Sequence, residues 1–166
     1  IDSHDTFRFL ESCNGDIKRL ELAVLFQMTY VGTPHIWYGD EIGMMGGHDP
    51  DCRRPFNWLY EQNEKSKELR NHYKKLISIR KQYSSLTTGK FKTILTDGMT
   101  YGFEREDDQS KMIILINNDT KRNNISISVD DGKYIDLLTG SLYETKNGFL
   151  DIQADLMSGL ILKKDI

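Results

Sequence analysis

Cysteine, proline and long apolar runs are all scarce in this sequence. Its 166 residues include only two cysteines, Cys13 and Cys52, and neither has the neighbouring Cys or His residues of a zinc site. A disulfide framework and a metal cluster are therefore not expected. No apolar run approaches the roughly 20 residues that a membrane-spanning helix needs, so we expect no membrane partner.

An excess of basic charge is also lacking. The chain has 25 acidic and 22 basic residues, both spread along its length, which gives a net charge of -3. Because no continuous basic stripe is available to neutralise a phosphate backbone, nucleic acid is not expected as a partner. The hydrophobic content of 38% is ordinary for a globular protein, and the chain is long enough for one sizeable domain or two small ones.

The first half alternates between helical and strand patterns. Asn14-Gly15-Asp16 predicts a turn with a helix N-cap, followed by a helix to Met28 that is buried on most sides. His35–Tyr38 then predicts a short strand. Residues 43–57 predict a long ordered loop, and residues 63–82 predict an amphipathic surface helix.

The second half has a different character. After Gly89 the sequence consists of short β-prone runs separated by turn dipeptides such as Asp97-Gly98, a pattern that predicts an antiparallel β domain. We expect the boundary near residues 84–88, where small polar residues take over. The predicted strands are Lys90–Leu95, Thr100–Glu106, Met112–Ile116, Asn124–Val129, Lys133–Leu137 and Gly159–Lys163.

Polar side chains follow the ends of the strands expected in the first half. The order of strand end, helix, strand, loop and helix is typical of a βα barrel or of a doubly wound sheet. In both folds ligands bind at the carboxyl ends of the strands. His4 and Asp5 fall at one such end, and Asp40 and Glu41 fall at the next. On these grounds the sequence predicts a polar binding rim suited to a sugar.

Three motifs stand in order along the first half: Ser3-His4-Asp5, the run from Gly32 to Gly43, and the run from Gly46 to Pro55. They resemble the last conserved segments of the α-amylase family of glycoside hydrolases, and the third is similar to the neopullulanase, cyclomaltodextrinase and maltogenic amylase branch. The resemblance covers the whole chain and implies a (β/α)8 TIM barrel followed by an antiparallel β-sandwich. It makes residues 1–85 the last two βα units of the barrel and residues 86–166 the β-sandwich domain.

The resemblance also implies a chemistry and a set of site residues. The family hydrolyses α-glucosidic bonds with retention, using a nucleophilic carboxylate and a second carboxyl group as acid and base. By motif match, Asp5 is a third carboxylate that distorts and holds the sugar, and His4 binds hydroxyls of the sugar being cleaved. Asp49 and Arg53 match a loop pair that grips the glucose on the non-reducing side of the cut. The motifs of the nucleophile and the proton donor are absent from this sequence.

The implied partners are an α-glucan or maltooligosaccharide and the remainder of the barrel domain, with a homodimer also possible. No cofactor and no metal are expected. Because two strands cannot close a barrel, we expect the chain to be a piece of a longer protein and to be inactive alone. A cytoplasmic location is favoured, although no motif fixes it.

Alternatives stay open for both the residues and the function. Asp5 could be a carboxylate that accepts backbone bonds in a turn, His4 a core histidine, and Asp49 and Arg53 a loop-stabilising ion pair. In place of a hydrolase, the chain could be a non-catalytic carbohydrate-binding or scaffold module, or a transporter-associated relative that has lost catalysis. Exposed aromatic side chains on one sheet face of the β domain would favour the binding module.

Overall fold

A computed structural model describes residues 1–164 of the chain. These residues form two compact units, one of residues 1–28 with 33–78 and one of residues 29–32 with residue 79 onward. The helices are α1 Phe9–Ser12, α2 Ile17–Thr29 and α3 Glu64–Gln82. The strands are β1 Lys90–Asp97, β2 Thr100–Glu106, β3 Lys111–Asn117, β4 Asn123–Ser128, β5 Lys133–Asp136, β6 Leu142–Glu144, β7 Phe149–Ala154 and β8 Ser158–Lys164.

Helix α2 begins at the predicted cap. The Asp16 carboxylate accepts a hydrogen bond from the backbone N–H of Lys18 at 3.1 Å, which satisfies one of the free donors of the first turn. From Leu20 to Thr29 every residue is buried or half-buried. The prediction of a helix that is buried on most sides is confirmed.

Helix α3 is amphipathic, as predicted. Its buried residues within the first unit are Leu69, Tyr73 and Leu76, which recur at intervals of four and three residues, while Lys74 and Lys75 between them are exposed. Two hydrogen bonds attach this helix to its own unit: the Ser66 hydroxyl donates to the Ile42 carbonyl at 2.8 Å, and the His72 ring lies 3.1 Å from the Glu21 carbonyl.

The strand predicted at His35–Tyr38 is wrong for the described residues. Residues 33–37 have no regular secondary structure, and His4 and Asp5 lie in a turn rather than at a strand end. A β-strand exists only when a neighbouring strand takes up its backbone hydrogen bonds, and no other segment within residues 1–164 pairs with this one. The Trp37 backbone N–H instead donates to the Asp40 carboxyl at 3.1 Å.

The second unit contains all six predicted strands with shifts of a few residues at their ends, and two strands that we did not predict. Strand β7 has the alternating apolar and polar pattern of a half-buried strand, with Leu150, Ile152 and Ala154 buried. Strand β6 has only three residues, too few for a periodic signal.

These strands form two antiparallel sheets. The larger has the order β1-β2-β3-β8-β5-β6, and the smaller pairs β4 with β7. Buried side chains from both sheets form a common apolar core. Its members are Ile113, Leu115, Ile125, Ile127, Tyr134, Leu150, Ile152, Ala154, Leu160 and Leu162.

The segment 29–32 is held to the second unit by two arginines. Arg105, which is 1% exposed, donates to the Thr29 carbonyl at 2.9 Å and to the Gly89 carbonyl at 3.1 Å. Arg80 donates to the Gly32 carbonyl at 2.6 Å. The domain boundary that the sequence places between residues 85 and 86 remains a prediction.

Candidate functional site

The four residues singled out in the sequence lie together in the first unit. The His4 ring nitrogen Nε2 is 3.0 Å from Oδ2 of Asp5, and Arg53 Nη2 is 3.4 Å from the other oxygen of Asp5. Arg53 Nε is 3.2 Å from Oδ1 of Asp49. The four side chains therefore form one connected polar cluster.

The backbone carries this cluster on two segments. His4 and Asp5 lie in a turn near the start of the chain, and Arg53 ends a 3₁₀ turn, Asp51–Arg53, within the long loop. The His4 carbonyl joins the two segments, because it accepts hydrogen bonds from Arg53 Nε at 3.0 Å and from the Cys52 thiol at 3.3 Å. The loop predicted at residues 43–57 is thus ordered against the His4-Asp5 turn.

All four side chains are open to solvent. The exposed fractions are 58% for His4, 67% for Asp5, 55% for Asp49 and 45% for Arg53. Exposed ion pairs contribute little to stability, about 0–1 kcal/mol each, so folding alone does not account for the convergence. The cluster presents a carboxylate, an imidazole and a guanidinium on one surface, a combination that can accept and donate hydrogen bonds to hydroxyl groups.

A second arginine, Arg54, stabilises the loop outside the cluster. Arg54 forms a two-pronged ion pair with Asp51, at 2.6 and 2.9 Å, and Asp51 also accepts from the Gly47 N–H at 2.7 Å. The hydrogen bond from Arg54, followed by that from Gly47, lowers the pKa of Asp51. This carboxylate holds the loop together, while Asp49 points to Arg53.

Beneath the cluster lies a buried arginine that the sequence did not reveal as important. Arg8 is fully buried, and its Nη1 donates to the Tyr38 carbonyl at 2.8 Å and to the Asp40 carboxyl at 3.2 Å. Its Nε donates to the Cys52 carbonyl at 2.9 Å. The only signal in the sequence was a charged residue between Phe7 and Phe9, where an apolar side chain would be usual.

Asp40 has the environment of a structural carboxyl group. It is 4% exposed, and burial raises its pKa to about 8. A hydrogen bond with the Asp2 carboxyl contributes to this rise in pKa, whereas Arg8 opposes it. The neighbouring Glu41 accepts a local hydrogen bond from the Gly39 N–H at 2.9 Å.

Aromatic rings border the cluster on one side. The Trp37 ring lies 5.9 Å from the His4 ring and 4.8 Å from the Tyr38 ring, measured between centroids. Both residues are half-buried, and the Tyr38 hydroxyl donates to the Arg54 carbonyl at 2.9 Å. The Trp37 indole N–H is buried without a hydrogen-bond partner among residues 1–164.

Metal-binding clusters and membrane-spanning helices are both absent from residues 1–164. No group of three His, Cys, Asp or Glu side chains in that range is arranged to hold a metal ion. In the same range, no helix is long and apolar enough to span a membrane.

Comparison with known proteins decides the family. The model of the alpha amylase catalytic domain matches residues 1–89, which include all four residues of the cluster. The chain belongs to the α-amylase family.

Curated relatives place it near one branch of this α-amylase family. The chain is 45% identical over 133 residues to a cyclomaltodextrinase of Thermoanaerobacter pseudethanolicus, covering 80% of this chain and 23% of that protein. It is 42% identical over 167 residues to neopullulanase 2 of Thermoactinomyces vulgaris, covering 98% of this chain and 28% of that protein. The chain thus spans about a quarter of the length of these relatives.

Solved structures of α-amylase family enzymes share the fold. An Anoxybacillus α-amylase matches with a TM-score of 0.90 and 30% identity, covering 99% of this chain and 37% of that one. An α-amylase of Geobacillus thermoleovorans, solved in complex with acarbose, matches with a TM-score of 0.90 and 25% identity, covering 100% of this chain and 38% of that one.

Proposed function

We propose that this chain supplies sugar-binding and transition-state-stabilising groups to a retaining α-glucan hydrolase that acts on maltodextrins, cyclodextrins or pullulan. The observation that carries the proposal is the joining of His4, Asp5 and Arg53 into one exposed cluster, in a chain of the α-amylase family. The names of its relatives, cyclomaltodextrinase and neopullulanase, support the choice of substrates.

Asp5 and His4 act on the sugar whose bond is broken. In retaining hydrolysis the sugar ring flattens and gains positive charge in the transition state. A carboxylate and an imidazole bonded to its hydroxyls stabilise that state more than the ground state, which lowers the barrier. The 3.0 Å contact between His4 and Asp5 orients the two groups relative to each other before the sugar arrives.

Asp49 and Arg53 bind the neighbouring glucose on the non-reducing side of the cut. Arg53 has a second role in this proposal, because its 3.4 Å contact with Asp5 orients the carboxylate. Neither residue transfers a proton or forms a covalent bond. The nucleophile and the proton donor come from strands whose motifs this sequence does not contain.

For the architecture, we propose that residues 1–85 are the last two βα units of a (β/α)8 barrel and residues 86–166 a β-sandwich. The unpaired segment 33–37 supports this proposal, since in a closed barrel it would gain the backbone partners that it lacks among residues 1–164. The unpartnered indole N–H of Trp37 in the same described range points the same way. The partner of this chain is accordingly the remainder of the barrel, and the chain alone has no turnover.

A non-catalytic carbohydrate-binding module is the competing proposal. It needs a row of exposed aromatic rings on a sheet face of the second unit. Phe103 and Tyr134 are buried, Tyr101 and Tyr143 are half-buried, and Phe149 is 49% exposed. One exposed ring gives this alternative weak support.

The test is a reducing-sugar assay with maltotriose, pullulan and β-cyclodextrin. It is run on this chain alone and on a polypeptide that joins it to the remaining barrel strands. We expect turnover only from the joined polypeptide. Turnover by the chain alone would contradict the division of catalytic groups, and an inert joined polypeptide that still binds maltotriose by calorimetry would support the binding module instead.

A further inference from the structure

Arg8 joins three separate segments of the first unit. Its side chain donates to the Cys52 carbonyl at 2.9 Å and to the Tyr38 carbonyl at 2.8 Å, and its backbone N–H donates to the Gly46 carbonyl at 3.0 Å. The guanidinium also lies 4.8 Å from the centre of the Tyr38 ring, within range of a cation–π contact. One buried residue therefore ties the turn before α1 to Tyr38 and to two points of the loop that reaches the candidate site, Gly46 and Cys52.

This arrangement is unusual because stability alone does not require it. A buried contact between an arginine and a carboxyl group, such as that of Arg8 with Asp40 at 3.2 Å, can often be replaced by apolar side chains without loss of stability. What an apolar side chain cannot supply is a set of directed hydrogen bonds to separate carbonyl groups. An arginine is therefore needed here to hold the Cys52 and Tyr38 carbonyls in place, and not for stability.

The part of the loop that Arg8 holds is also the part that contacts the cluster. Cys52, whose carbonyl accepts from Arg8, donates its thiol to the His4 carbonyl at 3.3 Å. The next residue, Arg53, donates to the same carbonyl at 3.0 Å and lies 3.4 Å from Asp5. A shift of the Cys52 peptide would therefore move Arg53 and the His4-Asp5 turn relative to each other.

We propose that Arg8 is a positioning residue, which holds the Cys52 carbonyl and so fixes Arg53 against His4 and Asp5. The kinetic part of this inference rests on the proposed function. Arg8 touches no substrate itself. Arg8 instead determines the placement of Arg53, His4 and Asp5, which bind the substrate in this proposal. A displacement of about 1 Å in such groups can lower turnover by as much as 100-fold.

The test is Arg8→Lys in the joined polypeptide. Lysine keeps the positive charge beside Asp40 but has one nitrogen, which cannot serve the Cys52 and Tyr38 carbonyls as the guanidinium does. We expect kcat on maltotriose to fall at least about tenfold at a temperature well below the melting temperature, with KM changed by less than about threefold. In a crystal structure of the variant, the contacts of Arg53 with Asp5 and with the His4 carbonyl should lengthen.

Arg105→Lys is the matched control. Arg105 is 1% exposed and donates to two carbonyl groups, but it lies in the second unit. We expect a comparable drop in melting temperature with kcat unchanged. Equal kcat losses in the two variants, or no loss in Arg8→Lys, would overturn the positioning role.

Two further readouts separate the possible failures. Should Arg8→Lys not fold, Arg8→Gln keeps one amide donor and has no charge to bury, and a kcat loss beyond that of Arg105→Lys supports the inference whereas an unchanged kcat overturns it. The lengthened Arg53 contacts test positioning without activity. If Asp5→Ala keeps full activity while the Arg53 contacts lengthen in Arg8→Lys, the proposed function fails and the positioning role stands.

Discussion

Arg53 and Asp5 lie 48 residues apart in sequence, yet Nη2 of the arginine is 3.4 Å from Oδ1 of the carboxylate. Through Nε the same guanidinium also contacts Asp49 at 3.2 Å and the His4 carbonyl at 3.0 Å. Arg53 is thus the residue through which the loop and the His4-Asp5 turn become one site. Its loss should affect the whole cluster rather than one ion pair.

Arg53→Lys tests that relationship. The single ammonium of lysine cannot contact Asp5, Asp49 and the His4 carbonyl together. Hydrogen bonds to charged groups contribute about 1.5–3 kcal/mol each, so loss of one such bond to a sugar or to Asp5 lowers kcat/KM about tenfold or more. Initial rates on maltotriose with the joined polypeptide measure this.

The control for Arg53→Lys is Arg54→Lys, the neighbouring residue. Arg54 is also about half exposed and is paired with Asp51 at 2.6 Å, outside the cluster. The kcat/KM of Arg54→Lys should stay within about twofold of wild type, since exposed ion pairs contribute little to stability. Equal effects of the two substitutions would mean that Arg53 has no specific role.

Asp40 makes the stability of the first unit dependent on pH in a defined direction. Its pKa is raised from 3.8 to about 8 by burial, so the folded state binds this proton more tightly than the unfolded state. Between these values the folded state holds more protons, and the free energy of unfolding therefore falls as pH rises. The stabilising contribution is complete below about pH 4 and is lost by about pH 8.

Denaturant titrations of wild type and Asp40→Asn across this range measure the effect. The difference between the two free energies of unfolding should change steadily from pH 4 to pH 8 and level off above it. Asp51→Asn, at a carboxylate whose pKa the Arg54 hydrogen bond lowers below 3.8, is the control and should show no such change above about pH 5. A flat difference for Asp40→Asn would show that Asp40 titrates at an ordinary pKa when folded.

Gly46 is a position where the loop admits no side chain. A Cβ atom there would lie 2.6 Å from the Asp51 carbonyl oxygen and 3.0 Å from the Cys52 Cα, and both are backbone atoms that cannot rotate away. Gly46→Ala should therefore lower the free energy of unfolding by about 1–3 kcal/mol and reduce kcat/KM by displacing Arg53. Gly47→Ala, whose Cβ would have its nearest neighbour at 3.7 Å, should be close to wild type in both measurements.

Leu115→Ala tests the core of the second unit. Leu115 on β3 is fully buried in the core shared by the two sheets. The substitution should lower the free energy of unfolding by about 2–5 kcal/mol, because it removes buried methyl groups and leaves a cavity. Leu142→Ala on β6, where the side chain is 67% exposed, should change it by less than about 0.5 kcal/mol.

The sequence predicted most parts of the fold that have a local signal, although β7, which alternates apolar and polar residues, was missed. Helix α3 has buried residues at intervals of three and four, and the turn dipeptide Asp97-Gly98 separates β1 from β2, so both regions were predicted correctly. Strand β6 was missed because three residues carry no period. The strand predicted at His35–Tyr38 failed because a strand depends on a neighbouring strand, and residues 1–164 provide none for it.

In the candidate site, too, residues within recognisable motifs were predicted, and a residue that acts through distant contacts was missed. The motifs that resemble a known family singled out four residues: His4, Asp5, Asp49 and Arg53. The structure brings their side chains together. Their roles toward a sugar remain predictions. Arg8 was missed because its importance lies in bonds to backbone carbonyls of Tyr38 and Cys52, which are distant in sequence and have no side-chain signature.

The central claim is that the Asp5 carboxylate stabilises the transition state of glucosidic bond cleavage. The most direct measurement is kcat and kcat/KM of Asp5→Asn on maltotriose in the joined polypeptide, beside Asp51→Asn at a carboxylate of the adjoining loop that lies outside the cluster. The account predicts a loss of at least about 100-fold in both constants for Asp5→Asn and a much smaller loss for Asp51→Asn. Wild-type turnover by Asp5→Asn, or equal losses in the two variants, would contradict it.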